Sequence, residues 1–463
     1  MSLRKPNAGS DRADVTKGER TIVVVPYLRD TPAGDAGKER PEPRSTEGKL
    51  DEAVGLARAI DLEVVAALSV PMSAYRPSTL LGSGKVEEIA AQVEAGNIGL
   101  AVIDHPLTPV QQRNLEKAWK TKVIDRTGLI LEIFGERAQT REGRLQVELA
   151  HLNYQKSRLV RSWTHLERQR GGFGFLGGPG ETQIEADRRM IGERILKIKD
   201  ELKGVARTRR LQRAHRRRLN HPVVALVGYT NAGKSTLFNA LTSAGVRAED
   251  LLFATLDPRL RRAKLPHGGE ILVSDTVGFV SDLPTHLVAA FKATLEEVVE
   301  ADLILHVRDI AHPETQIQTA DVADVLQQLG VDPNDPERVI EVWNKIDLLP
   351  TPPPAPRAKG QTVVSTIGIS ALTGEGVPAL LRLIEDRVTA EDTVYEVRLA
   401  DSQLADLYHA YELGEVLSRD DGEDGVALKV RVPLRKAEAF HQRFPFAVEA
   451  GASVAPKGRR RAP

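Results

Sequence analysis

Residues 228–235 carry the clearest chemical pattern in the sequence. They follow the strand-like PVVALVG, open the helix-like KSTLFNAL, and fit GxxxxGK[ST] with Gly228, Tyr229, Thr230, Asn231, Ala232, Gly233, Lys234 and Ser235. In such a loop the glycines let backbone N–H groups surround a phosphate chain, and the N-terminus of the following helix adds positive potential. Lys234 would neutralise the β- and γ-phosphates, and the Ser235 hydroxyl would bind Mg²⁺. Together with the adjoining Thr236, the pattern predicts a nucleoside triphosphate site.

A second glycine-rich stretch, LGSGK at 81–85, resembles a phosphate loop only superficially. The first required glycine would fall at Thr79, and Val86 stands where the pattern needs a metal-binding hydroxyl. We therefore predict a turn or a partner contact at 81–85 rather than a second nucleotide site.

The stretch DTVG follows the strand-like ILVSD and contributes Asp275, Thr276, Val277 and Gly278. A carboxylate at the end of a strand can hold Mg²⁺ through a water, and a glycine N–H can approach a γ-phosphate. Asp275 and Gly278 are therefore predicted to sense whether GTP or GDP is bound.

The stretch NKID follows the strand-like RVIEVW and supplies Asn344, Lys345 and Asp347. The Asp347 carboxylate can accept both N1–H and N2–H of guanine, a pair of donors that adenine lacks. Further along, the weaker pattern SAL provides Ser370, Ala371 and Leu372, which we expect in a loop against guanine O6. The two stretches in this order predict a preference for guanine over adenine.

The composition of the chain indicates what kind of protein carries these residues. The chain has 463 residues, of which 41% are hydrophobic and 28% charged, and this predicts three or four globular domains. Without a membrane-length apolar run or an apolar leader, we expect a cytoplasmic protein with no membrane span. The absence of cysteine excludes disulfides, thiolate metal sites and cysteine nucleophiles. Because 64 basic residues balance 64 acidic ones, attraction to nucleic acid must come from local clusters.

Hydrophobic periodicity divides this α/β chain into several segments. The predicted segments are a disordered tail at 1–20, an N-terminal α/β domain at 21–140, a two-helix hairpin at 141–218 with a Gly-rich loop at 171–180, a P-loop domain at 219–391, a small α+β C-terminal domain at 392–456 and a basic tail at 457–463. The phosphate-binding, DTVG, NKID and SAL stretches all fall in the P-loop domain, which is therefore the predicted site of chemistry.

Taken in order, GYTNAGKS, the threonine of FATLDP, DTVG, NKID and SAL resemble the five signature segments of a translation-factor-type GTPase domain. The resemblance implies that Thr255, in switch I, coordinates Mg²⁺ and the γ-phosphate when GTP is bound. Phe253 of the same segment joins the expected GTP-binding residues. The metal ligands would then be Ser235 and Thr255, with Asp275 acting through a water.

The stretch GPGETQIEADRR at 178–189 narrows the resemblance, because it is similar to the signature that joins two long helices in HflX-type GTPases. Switch II, which begins with DTVGFVSDLP, is also similar, and the likeness extends over nearly the whole chain from about residue 21. It implies a cytosolic monomer that binds GTP and GDP, contacts rRNA and proteins of the large ribosomal subunit or the 70S ribosome, and splits stalled ribosomes in its GTP state, often under heat or other stress. Gly177 departs from the family, in which many members carry Arg, and this argues against a charge contact there.

A basic cluster lies near the end of the predicted hairpin, where residues 203–218 include no acid. Such clusters neutralise backbone phosphates and suit RNA, so this run is the expected rRNA-facing surface, with Arg158, Arg161, Arg168 and Arg170 on the partner helix. The aromatic rings of Phe173 and Phe175 in the Gly-rich loop could stack on RNA bases. Alternatively, the loop is only a connector between the two helices and both rings are buried. The RNA-contact candidates are Phe173, Phe175, Arg207, Arg210, Arg216, Arg217 and Arg218.

Phe279 follows the DTVG glycine, at the position where Ras-like proteins carry the glutamine that orients the attacking water. Phenylalanine has no hydrogen-bonding side-chain atom, so the catalytic residue stays unassigned. We expect slow hydrolysis by the isolated protein and stimulation by a ribosomal partner. Asn231 is typical of GTPases that use K⁺ as a substitute positive charge, which makes K⁺ a candidate cofactor beside Mg²⁺.

Two other functions fit parts of the pattern. A regulatory G protein would bind a protein partner through the hairpin without RNA, and an RNA-remodelling NTPase would also hydrolyse ATP. NKID argues against adenine as the preferred base. Charge reversal at Arg216, Arg217 and Arg218 would separate RNA binding from protein binding.

Overall fold

The computed structural model describes residues 16–29, 44–169, 179–218, 221–242, 252–253, 255–257, 259–267, 269–282, 295–351, 365–390, 392–422, 425–432 and 434–450. Three β-sheets and a pair of long helices follow one another along the chain. This arrangement confirms the predicted α/β fold class, with a P-loop domain, an N-terminal α/β domain, a helical hairpin and a small C-terminal α+β domain. Within the described residues, no helix has the length and apolar character needed to cross a bilayer.

The first sheet has four parallel strands in the order β2-β1-β3-β4. Its strands are β1 Arg20–Leu28, β2 Glu63–Met72, β3 Leu100–Ile103 and β4 Lys122–Asp125, and its helices are α1 Thr46–Arg58, α2 Ser83–Ala95, α3 Pro109–Trp119 and α4 Arg126–Arg137. Val23 belongs to one hydrophobic core and Val24 to another, because helices cover both faces of the sheet. The alternating strand-like and helix-like stretches of the sequence correspond to these elements.

The structure differs from the sequence prediction at two places in this unit. The chain is ordered before the predicted start at 21, since Gly18 N–H donates to the Asp61 carbonyl and β1 begins at Arg20. The LGSGK stretch, predicted as a turn or a partner contact, is non-helical only at Leu81 and Gly82, because Ser83–Lys85 form the first turn of α2. Local glycine content suggested a turn, but the helical period of the residues that follow extends back to Ser83.

Two long helices, α5 Arg141–Gln169 and α6 Pro179–Arg218, form the predicted hairpin. Glu148 of α5 accepts two hydrogen bonds from Arg194 of α6, at 2.7 and 2.8 Å. Nearer the start of α5, Glu142 pairs with Arg209. The helices are therefore antiparallel. The predicted glycine-rich loop lies outside the described residues, apart from Pro179 and Gly180 at the start of α6.

The second sheet has six strands in the order β10-β9-β8-β5-β7-β6, parallel except for β6, which is antiparallel to β7. Its strands are β5 Val223–Val227, β6 Arg259–Lys264, β7 Glu270–Asp275, β8 Leu303–Asp309, β9 Val339–Asn344 and β10 Thr366–Gly368, and its helices are α7 Lys234–Thr242, α8 Thr315–Gln328 and α9 Val377–Val388. The carboxyl ends of β5, β7 and β9 lie at one edge of the sheet, so the residues that follow them come together.

The first and second sheets share a hydrophobic core. Val23 of β1 and Phe134 of α4 belong to the same buried cluster as Val227 of β5 and Phe279, which follows β7. Apolar burial of this kind stabilises an interface without directional constraints. The N-terminal unit is thus packed directly beneath the segments predicted to bind the nucleotide.

The third sheet is antiparallel, in the order β12-β13-β11-β14. Its strands are β11 Thr393–Leu399, β12 Glu415–Gly422, β13 Gly425–Val432 and β14 Val448–Glu449, and its helices are α10 Leu407–Leu413 and α11 Leu434–Arg443. Phe440 and Phe444 of the α11 region are fully buried against this sheet. Strand, helix, two strands and helix follow one another in this unit, and the short β14 adds an edge strand, in line with the predicted small α+β domain.

Candidate nucleotide-binding site

The phosphate loop connects β5 to α7, where the sequence pattern predicted it. Gly228 and Gly233 adopt φ angles of +154° and +89°, in the region that favours glycine. A side chain at Gly228 would overlap the Val307 carbonyl, and one at Gly233 would overlap the Asn344 amide. Both glycines are therefore required by the close packing of the loop on β8 and β9. Asn231, the residue linked to K⁺, lies exposed in the loop with a φ of +58°.

Lys234 places its ammonium group inside this loop. Its Nζ donates to the carbonyls of Gly228 and Tyr229, at 3.1 and 2.6 Å. Burial lowers the pKa of Lys234 to about 8, although the nearby carboxylate of Asp275 opposes the shift. A buried cation whose partners are mainly neutral carbonyls has little charge compensation, and a phosphate chain would supply it.

Three oxygen atoms converge beside Lys234. Ser235 Oγ lies 3.2 Å from Thr255 Oγ1, and both hydroxyls donate to Asp275 Oδ2 at 2.9 Å. The other carboxylate oxygen, Asp275 Oδ1, is buried and has no hydrogen-bond partner among the described residues. Burial raises the pKa of Asp275. Two hydroxyls and a carboxylate with an unsatisfied oxygen are the donors that Mg²⁺ prefers, so these residues fit a magnesium site.

The DTVG segment lies against the phosphate loop. The Phe279 N–H donates to the Gly228 carbonyl at 3.1 Å, and the Thr230 N–H donates to the Phe279 carbonyl at 2.8 Å. A Cβ at Gly278 would lie 3.1 Å from Lys234 Nζ and 2.9 Å from the Thr230 methyl group, so only glycine fits without a shift. The Phe279 side chain is 2% exposed and belongs to the hydrophobic core, and its ring has no atom that could hydrogen-bond to a water.

Several of the predicted binding residues are wholly or partly buried beside the phosphate loop. Thr276 Oγ1 donates to the Leu226 carbonyl at 2.6 Å, which fixes the end of β7 against β5. The buried members of this group are Ala232, Thr276 and Val277, and Thr236 is half-buried in the first turn of α7. Their side chains are available mainly for packing, whereas the backbone N–H groups of the loop remain the phosphate donors expected from the pattern.

The predicted guanine-binding residues come together at the end of β9. Asn344 Nδ2 donates to the Ala232 carbonyl at 2.8 Å, and Asn344 Oδ1 accepts from the Ala371 N–H at 2.9 Å. Asn344 thereby joins the phosphate loop to the SAL loop, in which Ser370 is buried and Leu372 is 80% exposed. The Lys345 ammonium pairs with Asp309 at 2.8 Å. Asp347 is exposed, as a carboxylate that receives a base must be.

A buried polar cluster joins the N-terminal unit to the phosphate loop and switch II, and no motif in the sequence predicted it. Tyr229 OH donates to Glu52 of α1 and accepts from the Ser281 N–H at 2.9 Å. Arg126 of α4 pairs with Glu52 at 2.5 Å and donates to the Ser281 carbonyl at 2.8 Å. Arg44 donates to Ser281 Oγ and pairs with Glu52 at 3.0 Å. We call these five residues the switch II contact.

The two arginines of the switch II contact are paired with Glu52 inside it and with Glu314 and Asp104 beside it. Burial alone would raise the pKa of Glu52, but Arg126, Arg44 and the Tyr229 hydroxyl outweigh it and lower that pKa. Arg126 also pairs with Asp104 at 2.5 Å. Burial raises the pKa of Asp104 despite this arginine. The Glu52 carboxylate is therefore ionised at neutral pH, and the contact is a charged network rather than a set of neutral hydrogen bonds.

Switch I also contacts the N-terminal part of the chain. Phe253 is 2% exposed, and its ring centroid lies 4.8 Å from that of Phe134 in an edge-to-face arrangement. Asp257 accepts hydrogen bonds from the Gln139 and Thr140 N–H groups. We call Phe134, Gln139, Thr140, Phe253 and Asp257 the switch I contact. The Phe253 side chain thus lies in the core, and only its backbone is left to face a nucleotide as predicted.

The structure describes the side chains of only some of the residues expected to face RNA. Arg207 is exposed on α6, whereas Arg158 is not part of an open surface, because it pairs with Asp125 at 2.7 Å and stacks over Tyr154. A run of charges in a sequence does not reveal such a partner. Arg210, Arg216, Arg217 and Arg218 follow the α6 backbone, but their side chains are outside the described part. Phe173 and Phe175 also fall outside the described residues.

Four family models match consecutive parts of the chain. They are described as GTP-binding GTPase N-terminal at residues 47–135, GTP-binding GTPase Middle Region at 137–216, 50S ribosome-binding GTPase at 223–345 and HflX C-terminal domain at 356–450. The first three correspond to the first sheet, the long helices and the nucleotide-site sheet.

Individual relatives give the same result over most of the chain. A GTPase HflX of Magnetococcus marinus is 54% identical over 83% of this chain and 88% of its own length. The GTPase HflX of Escherichia coli is 44% identical over 83% of this chain and 90% of its own length. Among solved structures, a GTP-binding protein from Sulfolobus solfataricus in complex with GDP is 22% identical, covering 80% of this chain and 99% of its own, with a TM-score of 0.42.

Proposed function

The chain belongs to the HflX family of GTPases, and from this premise we propose that it binds the large ribosomal subunit and splits stalled 70S ribosomes in its GTP-bound state. The match of residues 223–345 to a family described as 50S ribosome-binding GTPase supports the partner. The observation that carries the mechanism is the switch I contact, since it joins the segment of Thr255 to the N-terminal unit and to the start of the hairpin. A change at the nucleotide can therefore bias the placement of that unit.

The proposed roles in the GTPase site follow the geometry. Lys234 and the loop N–H groups hold the β- and γ-phosphates, and Asp347 selects guanine through its N1–H and N2–H. Ser235 and Thr255 would hold Mg²⁺, with Asp275 accepting from a water on the ion. Mg²⁺ supplies positive charge that offsets the charge developing on the phosphates during transfer. The Gly278 N–H would donate to the γ-phosphate.

Slow hydrolysis by the protein alone is part of the proposal. The ring of Phe279 is buried and offers no hydrogen bond to an attacking water. The ribosome would supply or order the missing group, as activating partners do for other GTPases. Turnover should therefore rise markedly when large subunits or 70S ribosomes are added, and equal turnover with and without them would reject this part.

The test is sedimentation of purified 70S ribosomes with the full-length protein. GTP and a non-hydrolysable analogue should convert 70S particles into subunits, with the protein on the large subunit, whereas GDP and ATP should not. Intact 70S particles at saturating GTP would reject the function. Asp347→Asn is the matched control, because its amide would oppose the guanine amino group. The variant should respond to xanthosine triphosphate, whose C2 carbonyl accepts from that amide.

A protein partner without RNA is the second candidate, and one observation favours it. Arg209 of the basic run pairs with Glu142 of α5, so part of the positive charge of that run is neutralised within the hairpin. Reversing charge at Arg216, Arg217 and Arg218 should abolish ribosome co-sedimentation if these side chains bind rRNA. Undiminished co-sedimentation would favour a protein contact.

A further inference from the structure

The start of helix α5 is held by a residue of switch I. Asp257 Oδ2 accepts from the N–H groups of Gln139 and Thr140, both at 2.8 Å, and Asp257 Oδ1 accepts from Thr140 Oγ1 at 2.5 Å. Thr140 Oγ1 in turn accepts from the Gly143 N–H at 2.9 Å, so Thr140 caps the helix. One carboxylate therefore satisfies three donors at the point where the hairpin leaves the N-terminal unit. A negative charge at a helix N-terminus is also favoured by the helix dipole.

Asp257 lies two residues after Thr255. Thr255 is 6% exposed, and its hydroxyl donates to Asp275 in the magnesium-site geometry. A backbone step of two residues spans at most about 7 Å, so the position of Asp257 restricts where Thr255 can lie.

A second anchor lies two residues before Thr255. Phe253 packs edge-to-face on Phe134, and Leu252 packs against Gly55 of α1, where an added Cβ would meet its side chain at 3.0 Å. Thr255 is therefore flanked on both sides by residues that are held by the N-terminal unit and the start of the hairpin. The hydroxyl expected to bind Mg²⁺ is thus positioned by contacts outside the GTPase sheet as well as by its own hydrogen bond to Asp275.

We infer that Asp257 is a positioning residue for the GTP state: through its hydrogen bonds to the start of α5 it holds Thr255 in the magnesium site. The inference rests on the proposed role of Thr255. Because coupling between two sites is reciprocal, GTP with Mg²⁺ also strengthens the hydrogen bonds at the start of α5, and a displaced hairpin weakens GTP binding. GDP lacks the γ-phosphate with which Thr255 is proposed to engage, so GDP binding is independent of this coupling.

The test compares the binding of GDP and of a non-hydrolysable GTP analogue, both with Mg²⁺, to the full-length protein. Asp257→Ala removes all three acceptor contacts, and we expect affinity for the analogue to fall about tenfold, which is the scale of one lost charge-assisted hydrogen bond. GDP affinity should be unchanged. Thr140→Val should reproduce the selective loss more weakly, and Thr140→Ser, which keeps the hydroxyl, should restore it. Equal losses for both nucleotides would mean a merely structural role and would overturn the inference.

Hydrogen exchange in the unmodified protein gives a second readout that does not depend on a variant folding. The amides of Gln139 and Thr140 should exchange more slowly with the analogue than with GDP, and Thr255→Ala should remove that difference. If Thr255→Ala itself leaves analogue binding unchanged, the assigned role of Thr255 and this inference both fail. If Thr255→Ala is selective for the analogue but Asp257→Ala is not, only the inference fails. Ribosome splitting is measured separately and decides neither outcome.

Discussion

The switch I contact and the switch II contact join the same two parts of the molecule by different chemistry. In the switch I contact, the carboxylate of Asp257 meets backbone groups of exposed residues, beside one pair of aromatic rings. In the switch II contact, Arg126 and Glu52 are each 6% exposed, and both partners of the ion pair are removed from water. An exposed charge pair contributes little stability, whereas removing one partner of a buried pair is costly.

This difference in burial and charge indicates that the two contacts have different roles. The switch II contact holds the phosphate loop itself, which binds GDP and GTP alike, so it should persist in both states. The switch I contact holds the segment of Thr255, which is proposed to engage only with GTP. Its weaker, partly exposed hydrogen bonds are suited to exchange with the nucleotide. One contact thus keeps the units together while the other changes.

Removing the charge at the centre of the switch II contact should have the largest effect. Glu52→Gln leaves Arg44 and Arg126 buried with one acid fewer, and we expect the free energy of unfolding to fall by about 3–5 kcal/mol. Denaturant unfolding followed by fluorescence or circular dichroism measures this change.

Glu63→Gln is the control for that experiment. Glu63 also pairs with an arginine of the N-terminal unit, Arg20, at 3.3 Å, but its side chain is 58% exposed. Its loss should cost no more than about 1 kcal/mol. Similar costs for the two variants would show that the switch II contact is not a buried charged network.

A milder substitution tests whether the switch II contact supports the binding of GDP and of GTP equally. Tyr229→Phe removes the hydroxyl that donates to Glu52 and accepts from the Ser281 N–H. We expect a loss of about 1.5–3 kcal/mol in the free energy of unfolding, because one hydrogen bond to a charged group disappears. Any loss of affinity should be equal for GDP and the GTP analogue in titrations. A loss confined to the analogue would remove the distinction between the two contacts.

The aromatic part of the switch I contact gives a smaller effect. Phe253→Leu keeps most of the apolar volume but loses the edge-to-face arrangement with Phe134, which should cost about 1 kcal/mol. Affinity for the GTP analogue should fall more than affinity for GDP, since the ring lies two residues from Thr255. Phe444→Leu, in the separate core of the third sheet, is the control and should leave both affinities unchanged.

The sequence predicted the part of the site that local spacing determines. Gly228, Lys234, Asp275 and Asn344 follow strands whose ends meet at one edge of the sheet, so each stretch could be interpreted by itself. The switch II contact could not be found in this way. Glu52 lies 177 residues from Tyr229, and a lone acid on an otherwise apolar helix face has no pattern that names its partner. The pairing of Arg158 with Asp125 was missed for the same physical reason.

The free energy of unfolding, measured against pH, separates the contribution of the buried His306 from that of the switch II contact. Burial lowers the pKa of His306 on β8 to about 4, with Arg308 and Lys234 adding to the effect and Glu341 opposing it. The unfolded chain, with an ordinary pKa near 6.5, binds this proton first as the pH falls. Stability should therefore decrease from about pH 7.5 to about pH 5.5, by about 1 kcal/mol from this group.

The variant His306→Gln isolates that contribution, because other groups titrate with different signs. Glu52 has a lowered pKa, so its contribution to stability is fully present above the ordinary pKa of a glutamate and is lost as the pH falls through the folded-state pKa. Asp104 has a raised pKa, so its protonation favours the folded state as the pH falls, which is the opposite of His306. The slope of unfolding free energy against pH should thus be shallower in His306→Gln than in the parent. If the slope of unfolding free energy against pH were the same in the variant and the parent, the acid sensitivity would come from other groups and His306 would not contribute to it.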